Sequence, residues 1–358
     1  MAINLAEKYS SKVDERIKIK SYTGEHLNKD YEFNGVDTIH IYQIDTVALN
    51  DYTRSGASRY GTPVELGDST QTLVLKQDKG FTFTIDKGNN QEQLNIKGAA
   101  AALKRETDEV IVPWIDRYRF AIFAAEVDSS MTDSTALTSA NVYTQYLDAK
   151  EALAEIGVDR VVTYVTPAVY NLLKLDDNFI KASDMAQKML IKGQMGEVDG
   201  DPIIMVAGKR LPAGIDFIMV ADKTMISPVT LNDYKIHQDP PGINGNLVEG
   251  RFIMDAFILG SRAKAFFVQG ARTSVLKTVR TDAYKATISG LDIYKGEKVY
   301  WKVASSSITA SDIGDTFVTA GYTAGLEATG TSTNKYVEFV VVDRNGKVRD
   351  AVADELDA

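Results

Sequence analysis

Hydrophobic and polar positions alternate along some stretches of the chain and recur at helical spacing along others. Near the N-terminus Leu5, Tyr9, Val13 and Ile17 recur every fourth residue, which fits a short amphipathic helix or, equally, a loosely held arm. Thr38-Ile39-His40-Ile41-Tyr42-Gln43-Ile44 alternates and is rich in β-branched residues, so it predicts a strand. Residues 50–63 are turn formers with little to bury. Beyond them, Gln71–Lys76 and Phe81–Asp86 read as strands joined through Gln77-Asp78-Lys79-Gly80, giving a ribbon over 50–87. A two-stranded ribbon alone in water is marginal, so this one needs another surface to lie on.

Between 92 and 126 the spacing turns helical, with Leu103, Val110, Trp114, Tyr118 and Ile122 on one face. At 1.5 Å per residue that is a spine of roughly 50 Å, which Pro113 should kink or restart. Further helices are predicted from Ser139-Ala140-Asn141 to Ile156, over Pro167–Lys174 and over Phe179–Lys192. Strands are expected at Arg160–Val165, Pro202–Ala207, Asp216–Ala221 and Met225–Ser227, with Gly250–Val268 as a core strand or pair. From about Tyr284 the composition moves to Ser, Thr and Gly with strand-like runs at Lys298–Val303 and Tyr336–Val342. Asn345-Gly346 predicts a type I′ hairpin there, so 281–358 reads as a small separate β domain. The class is α+β.

Composition narrows the chemistry. The 358 residues are 44 % hydrophobic and 25 % charged, which is globular, and there is no cysteine to form a disulfide, a thiol nucleophile or a Cys-based metal site. No apolar run approaches the 18 or so residues of a membrane helix, and the N-terminus has no apolar signal core. A net charge of −9 with acids and bases interleaved is no footprint for gripping nucleic acid. His26, His40 and His237 are too scattered for a local ligand motif. Gly193-x-x-Gly196-x-x-x-Gly200 follows a helix, the reverse of a dinucleotide loop, and reads as a connector. The pairs Asp176/Asp177 and Asp199/Asp201 lack a calcium loop's alternating oxygens and closing glutamate. No catalytic residue, cofactor or metal is expected.

The order of elements then resembles a known family. An arm, a long ribbon, a spine helix, an α/β unit and a returning strand preceded by Pro240-Pro241-Gly242 resemble the major capsid proteins of tailed bacteriophages, the Hong-Kong-97-type fold shared with encapsulins. Asn50-Asp51-Tyr52, Arg59-Tyr60-Gly61-Thr62-Pro63, Phe81 to Asn90, Pro113-Trp114-Ile115-Asp116, Asp239 to Ile243 and Gly250 to Asp255 resemble phrases in capsid proteins of phages of Gram-positive bacteria. The resemblance covers roughly residues 1–275.

It implies an N-terminal arm (1–35), a peripheral domain with the spine (36–49, 88–134 and 246–280), an extended loop (50–87) lying across a neighbouring subunit, and an axial domain (135–245). The C-terminal β domain lies outside that pattern and reads as an outward decoration that the shell does not require. The implied partners are copies of the chain in hexamers and pentamers, a portal, and a scaffolding protein that Met1 as first residue suggests is separate. The shell would enclose double-stranded DNA without sequence-specific binding, assembling in a bacterial cytoplasm and residing in the virion. Tyr52, Arg54, Arg59 and Tyr60 at the loop tip are the expected contact residues, because Arg and Tyr combine contact area with hydrogen bonding and the surrounding glycines and serines let the tip conform. An encapsulin-like compartment shell shares the fold, while a β-rich binding or adhesin module would rest on the C-terminal unit alone. An enzyme would need a nucleophile–base or metal set that the sequence does not display.

Overall fold

The structure, a computed structural model, describes residues 21–31, 33, 37–88, 98–176, 197–198, 200–282 and 284–356. The arm positions Leu5 to Ile17, the helix expected over Phe179–Lys192 and the start of the spine before residue 98 lie outside them.

Strand β1 (Thr38–Ile44) pairs antiparallel with β2 (Asp68–Val74), Thr38 opposite Val74 and Ile44 opposite Asp68. The ribbon expected between Gln71–Lys76 and Phe81–Asp86 does not form. Residues 77–80 do not turn; they begin β3 (Gln77–Asp86), which runs antiparallel to β11 (Gly245–Met254) along its whole length, with β10 (Val229–Gln238) on the far side of β11. Gly80 has no positive φ that would close a hairpin. Packing across the sheet favours the distant partner. Gly250 leaves room for the rings of Phe81 and Tyr234, 5.9 Å apart on its two neighbouring strands, where a Cβ would come within 2.3 Å of the Phe81 ring.

The spine is α1 (Ala99–Glu106), a π-helical turn (Thr107–Ile111) and α2 (Val112–Glu126) in direct succession. Pro113 lacks an N–H and its ring crowds the preceding turn, and the wider π turn just ahead accommodates both without ending the helix. The extra residue moves the upstream face by one position. Ile111 is buried and Val110 exposed, so Val110 does not share the face of Tyr118 and Ile122 as its spacing predicts.

A six-stranded sheet forms the centre of the body. Its order is β4 (Thr132–Asp133), β13 (Phe266–Gln269), β8 (Phe217–Ala221), β5 (Val161–Val165), β7 (Asp201–Met205) and β6 (Glu197–Val198). Helices α3 (Val142–Glu155) and α4 (Pro167–Leu175) contribute Tyr146, Leu153, Val169 and Leu173 to the core that holds Val165, Phe217 and Met219. Alternate residues of the same strands, Tyr164, Ile218 and Phe266, join Phe120 and Phe123 of the spine in the core on the other face. That two-sided burial is why Val161–Val165 is buried at every position and does not alternate apolar with polar. A short pair, β9 (Met225–Ile226) with β12 (Phe257–Ile258), lies between this body and the ribbon.

The C-terminal unit has two sheets. One orders β14 (Lys277–Asp282), β15 (Lys285–Ser289) and β18 (Glu327–Thr329); the other orders β17 (Thr323–Ala324), β16 (Lys298–Ala304), β19 (Tyr336–Val342) and β20 (Val348–Glu355). Leu276, Val299, Val337, Phe339 and Val341 fill its core. The expected hairpin joins β19 to β20, but only Gly346 has a positive φ, 80°. Its N–H bonds Asp343 O at 3.2 Å, and the Asp343 N–H bonds Lys347 O at 2.9 Å. The connection is therefore an ordinary turn closed by a left-handed glycine with a bulge, in place of a type I′ turn. This unit does not stand free: Tyr294 is buried in the body's core against Trp114 and Tyr118.

Two glycines separate backbone strain from collision. Gly242 has φ 83° and nothing within 4 Å of an added Cβ, whereas at Gly245 (φ 152°) a Cβ would lie 2.1 Å from Ile85 O on β3. Gly242→Ala should cost about 1–2 kcal/mol. Gly245→Ala should exceed the ~1–3 kcal/mol of backbone strain alone, because the carbonyl cannot retreat without breaking β3 from β11. Denaturant midpoints of the two variants check the order, and equal losses would contradict it.

Candidate inter-subunit surface

The β1–β2 ribbon has two unlike faces because strand side chains alternate. Ile39 and Ile41 pack with Leu73 onto the cluster of Phe33, Ile226 and Phe257. Gln71, opposite Ile41, ties the same face down: its Nε2 donates to Ile258 O at 3.2 Å and its Oε1 accepts from Gly260 N at 3.0 Å. Tyr42 and Ile44 alternate with these positions and are exposed. Exposure continues through the tip at Val47, Leu49, Tyr52, Tyr60, Val64 and Leu66. Eight of the eighteen exposed large hydrophobic side chains among the described residues thus fall within 42–66, which concentrates uncovered apolar surface here.

The structure brings three of the four expected tip residues together. Thr53 N bonds Arg59 O at 3.0 Å and Gly61 N bonds Ser58 O at 3.2 Å, closing a small loop. Within it the Tyr52 and Tyr60 rings meet edge-on with centroids 5.0 Å apart, and Arg59 Nε donates to Gly56 O at 3.3 Å. Arg54 stands apart, and among the described residues its side chain makes no hydrogen bond or ion pair. The tip can offer two aromatic rings and two guanidinium groups to a partner, and it carries no nucleophile–base pair. Among the described residues no group of three or more His, Asp or Glu side chains could hold a metal ion.

The base of the ribbon is held by buried charges that the sequence reading missed. Asp255, fully buried after β11, accepts through Oδ1 from Tyr118 OH at 2.5 Å, its neighbour Ala256 N at 2.8 Å and Arg344 Nη1 at 2.9 Å. Its Oδ2 accepts from Lys76 N at 2.9 Å. Arg344, at the tip of the β19–β20 hairpin, also donates to Glu126 Oε1 at 2.8 Å and Ala256 O at 2.7 Å and lies 5.3 Å over the Phe257 ring. Burial works against the Arg344 charge, but Glu126, the Tyr118 oxygen and Asp255 outweigh it and raise its pKa. Burial, then the Asp255 charge, pushes the Tyr118 hydroxyl well above the usual tyrosine range, so it remains a donor.

A second buried acid, Asp116, lies on the spine itself, two residues before Tyr118. Asp116 accepts from Ser21 Oγ at 2.8 Å, Tyr22 N at 3.0 Å, Thr23 Oγ1 at 2.8 Å and Arg210 Nη1 at 2.5 Å. Arg119 donates to Thr23 Oγ1 at 2.9 Å and Ser227 Oγ at 3.0 Å, and Ser227 Oγ donates onward to Asp255 O at 2.8 Å. Burial pushes Arg119 down to about 10, with Asp116 opposing, so it stays charged at neutral pH. Both acids close phrases already singled out, Pro113 to Asp116 and Gly250 to Asp255, and a carboxylate inside a largely apolar run was the available signal.

Solved phage structures are similar to this chain in fold. A Mycobacterium phage Che8 chain aligns over 75 % of this chain and 98 % of its own at 15 % identity with a TM-score of 0.58. The mature capsid of bacteriophage PhiM1 aligns over 74 % and 91 % at 12 % identity (TM-score 0.55), and the capsid of Ralstonia phage GP4 over 76 % and 96 % at 11 % identity (TM-score 0.55). The fold is that of a phage capsid subunit. The likeness to phage capsid proteins expected from the sequence is thus borne out in the fold, although no protein-family model and no curated protein sequence matches the chain.

Removing one member of a buried ionic group leaves the others uncompensated, and this typically costs about 3–5 kcal/mol. Asp116→Ala strands Arg119 and Arg210 and should lower stability by that amount in denaturant unfolding. A loss under about 1 kcal/mol would show that water reaches the site.

Proposed function

We propose that this chain is a structural major capsid protein that assembles with copies of itself, as hexamers and pentamers, into an icosahedral shell around phage double-stranded DNA. The observation that carries the reading is the apolar ribbon: a subunit of capsid fold exposes eight large hydrophobic side chains over 42–66 that its own body does not cover. An obligate neighbour is the economical cover for such a surface. In this reading the ribbon over 38–74 and its tip lie across an adjacent copy, with Tyr52, Arg54, Arg59 and Tyr60 as contacts. The arm and axial divisions expected from the sequence are retained as part of the proposal, while 38–49 pass from the peripheral domain to the ribbon and 75–87 from the extended loop to the peripheral domain. The chain's acidity suits a wall that encloses DNA without adhering to it. A separate scaffolding protein and a portal are the proposed assembly partners, the host cytoplasm the place of assembly and the virion the destination. The role is structural, with no catalysis assigned. An encapsulin-like compartment shell uses the same surface logic and differs in what it encloses.

Negative-stain electron microscopy and light scattering of the protein expressed with its assembly partners should show closed particles, and a monomer at high concentration would overturn the reading. The tip is tested separately with Arg54→Ala combined with Arg59→Ala. Subunit melting should stay within experimental error, since few contacts inside the chain are lost. Particle yield should fall, because charge-assisted contacts are worth roughly 1.5–3 kcal/mol each and every subunit repeats them. Particles of normal yield and stability would remove the tip from the interface.

A further inference from the structure

We propose that the C-terminal β unit sets the direction in which the ribbon leaves the body, with Arg344 and the loop around Lys295 as the positioning contacts. The ribbon ends at Val74 and β3 begins at Gln77, so residues 75–77 are its root. Two separate C-terminal loops grip that root. The 343–346 hairpin tip acts through Asp255: Arg344 holds one carboxylate oxygen while the Lys76 N–H holds the other. The 294–297 loop acts through Gln77, whose buried amide is bonded both ways to one residue, Nε2 to Lys295 O at 3.0 Å and Oε1 from Lys295 N at 3.3 Å.

That second loop is itself braced. Tyr294 N donates to Glu297 Oε2 at 2.7 Å, Glu297 N donates to Tyr294 O at 3.1 Å, and Arg349 pairs with the Glu297 carboxylate. Gly296 lets the Lys76 stem pass, since a Cβ there would lie 3.2 Å from Lys76 Cδ. Asn345 beside Arg344 faces the ribbon strand itself across a cleft lined by Gln71, Thr72 and Val74. Without these loops Asp255 and Glu126 lose their shared cation and the Gln77 amide loses both backbone partners, while the ribbon keeps the Gln71 ties and the Phe33–Phe257 cluster. Loss of the C-terminal contacts therefore loosens the root without detaching the ribbon. The unit that the sequence presents as a dispensable decoration becomes a determinant of where the arm points. Its consequence for assembly rests on the capsid reading; the positioning itself does not.

The test is hydrogen exchange on the full chain, comparing 38–44 and 68–77 with the central strand 161–165. Asp255→Asn with Arg344→Met and Glu126→Gln removes the charge group without stranding a buried charge. Gln77→Leu removes the second grip. Each should speed exchange in the ribbon root roughly tenfold, the equivalent of about 1.4 kcal/mol, and leave 161–165 unchanged. Lys347→Ala, on the same hairpin but outside the grip, should leave both segments unchanged. Unaltered root protection in both variants overturns the proposal, and so does a uniform rise across all segments, which would mark a general structural role. Particle formation is not the readout, so a failed shell hypothesis leaves the result standing.

Discussion

A carboxylate removed from water has to find charge and hydrogen-bond donors inside the protein, and Asp116 and Asp255 impose that condition on nearly every part of this chain. Asp116 collects residues 21–23 and Arg210 onto the spine helix. Asp255 collects the ribbon root, Tyr118 of the spine and Arg344 of the C-terminal hairpin. Arg119 and Ser227 join the two groups into one buried polar chain. Segments as far apart in sequence as Ser21 and Arg344 are thereby set against the same helix. Each acid has several partners, so no segment can move away without leaving a donor or a charge unsatisfied.

That internal satisfaction contrasts with the ribbon. Its inner face is covered by Phe33, Ile226 and Phe257, while its outer face and tip hold aliphatic and aromatic side chains in solvent. The proposed association would use that exposed apolar surface, while the buried carboxylates Asp116 and Asp255 are satisfied within the body. Bringing that surface out of water is worth roughly 25 cal/mol per Å² before the losses of association. The proposed coupling between the C-terminal unit and the ribbon root links the two regimes, because an arm that reaches a neighbour must leave the body at a defined angle.

Much of this was legible in the order of residues. Alternation in 38–44, the strand at Arg160–Val165, Pro167 as a helix start and the Asn345-Gly346 hairpin all follow from local rules, and the elements form where those rules place them, though the hairpin's turn is not type I′. Tyr52, Arg59 and Tyr60 could be picked out at the tip, though not their mutual packing. The pairing of Phe81–Asp86 could not be picked out. Its partner is strand 245–254, and the local string Gln77 to Gly80 resembles a turn. Asp116, Asp255 and Arg344 were invisible as a group because their partners lie tens to hundreds of residues away and no short motif joins them.

Taken alone, the sequence determined the periodic elements, the absence of cysteine chemistry and the resemblance to capsid proteins, since these depend on residue type and near-neighbour spacing. Tertiary structure decided which strands pair, how the π turn shifts the spine's buried face by one residue, and where the C-terminal unit docks. Those outcomes depend on which distant surfaces fit and which buried charges can be satisfied together, and such matches are defined only when the chain is folded.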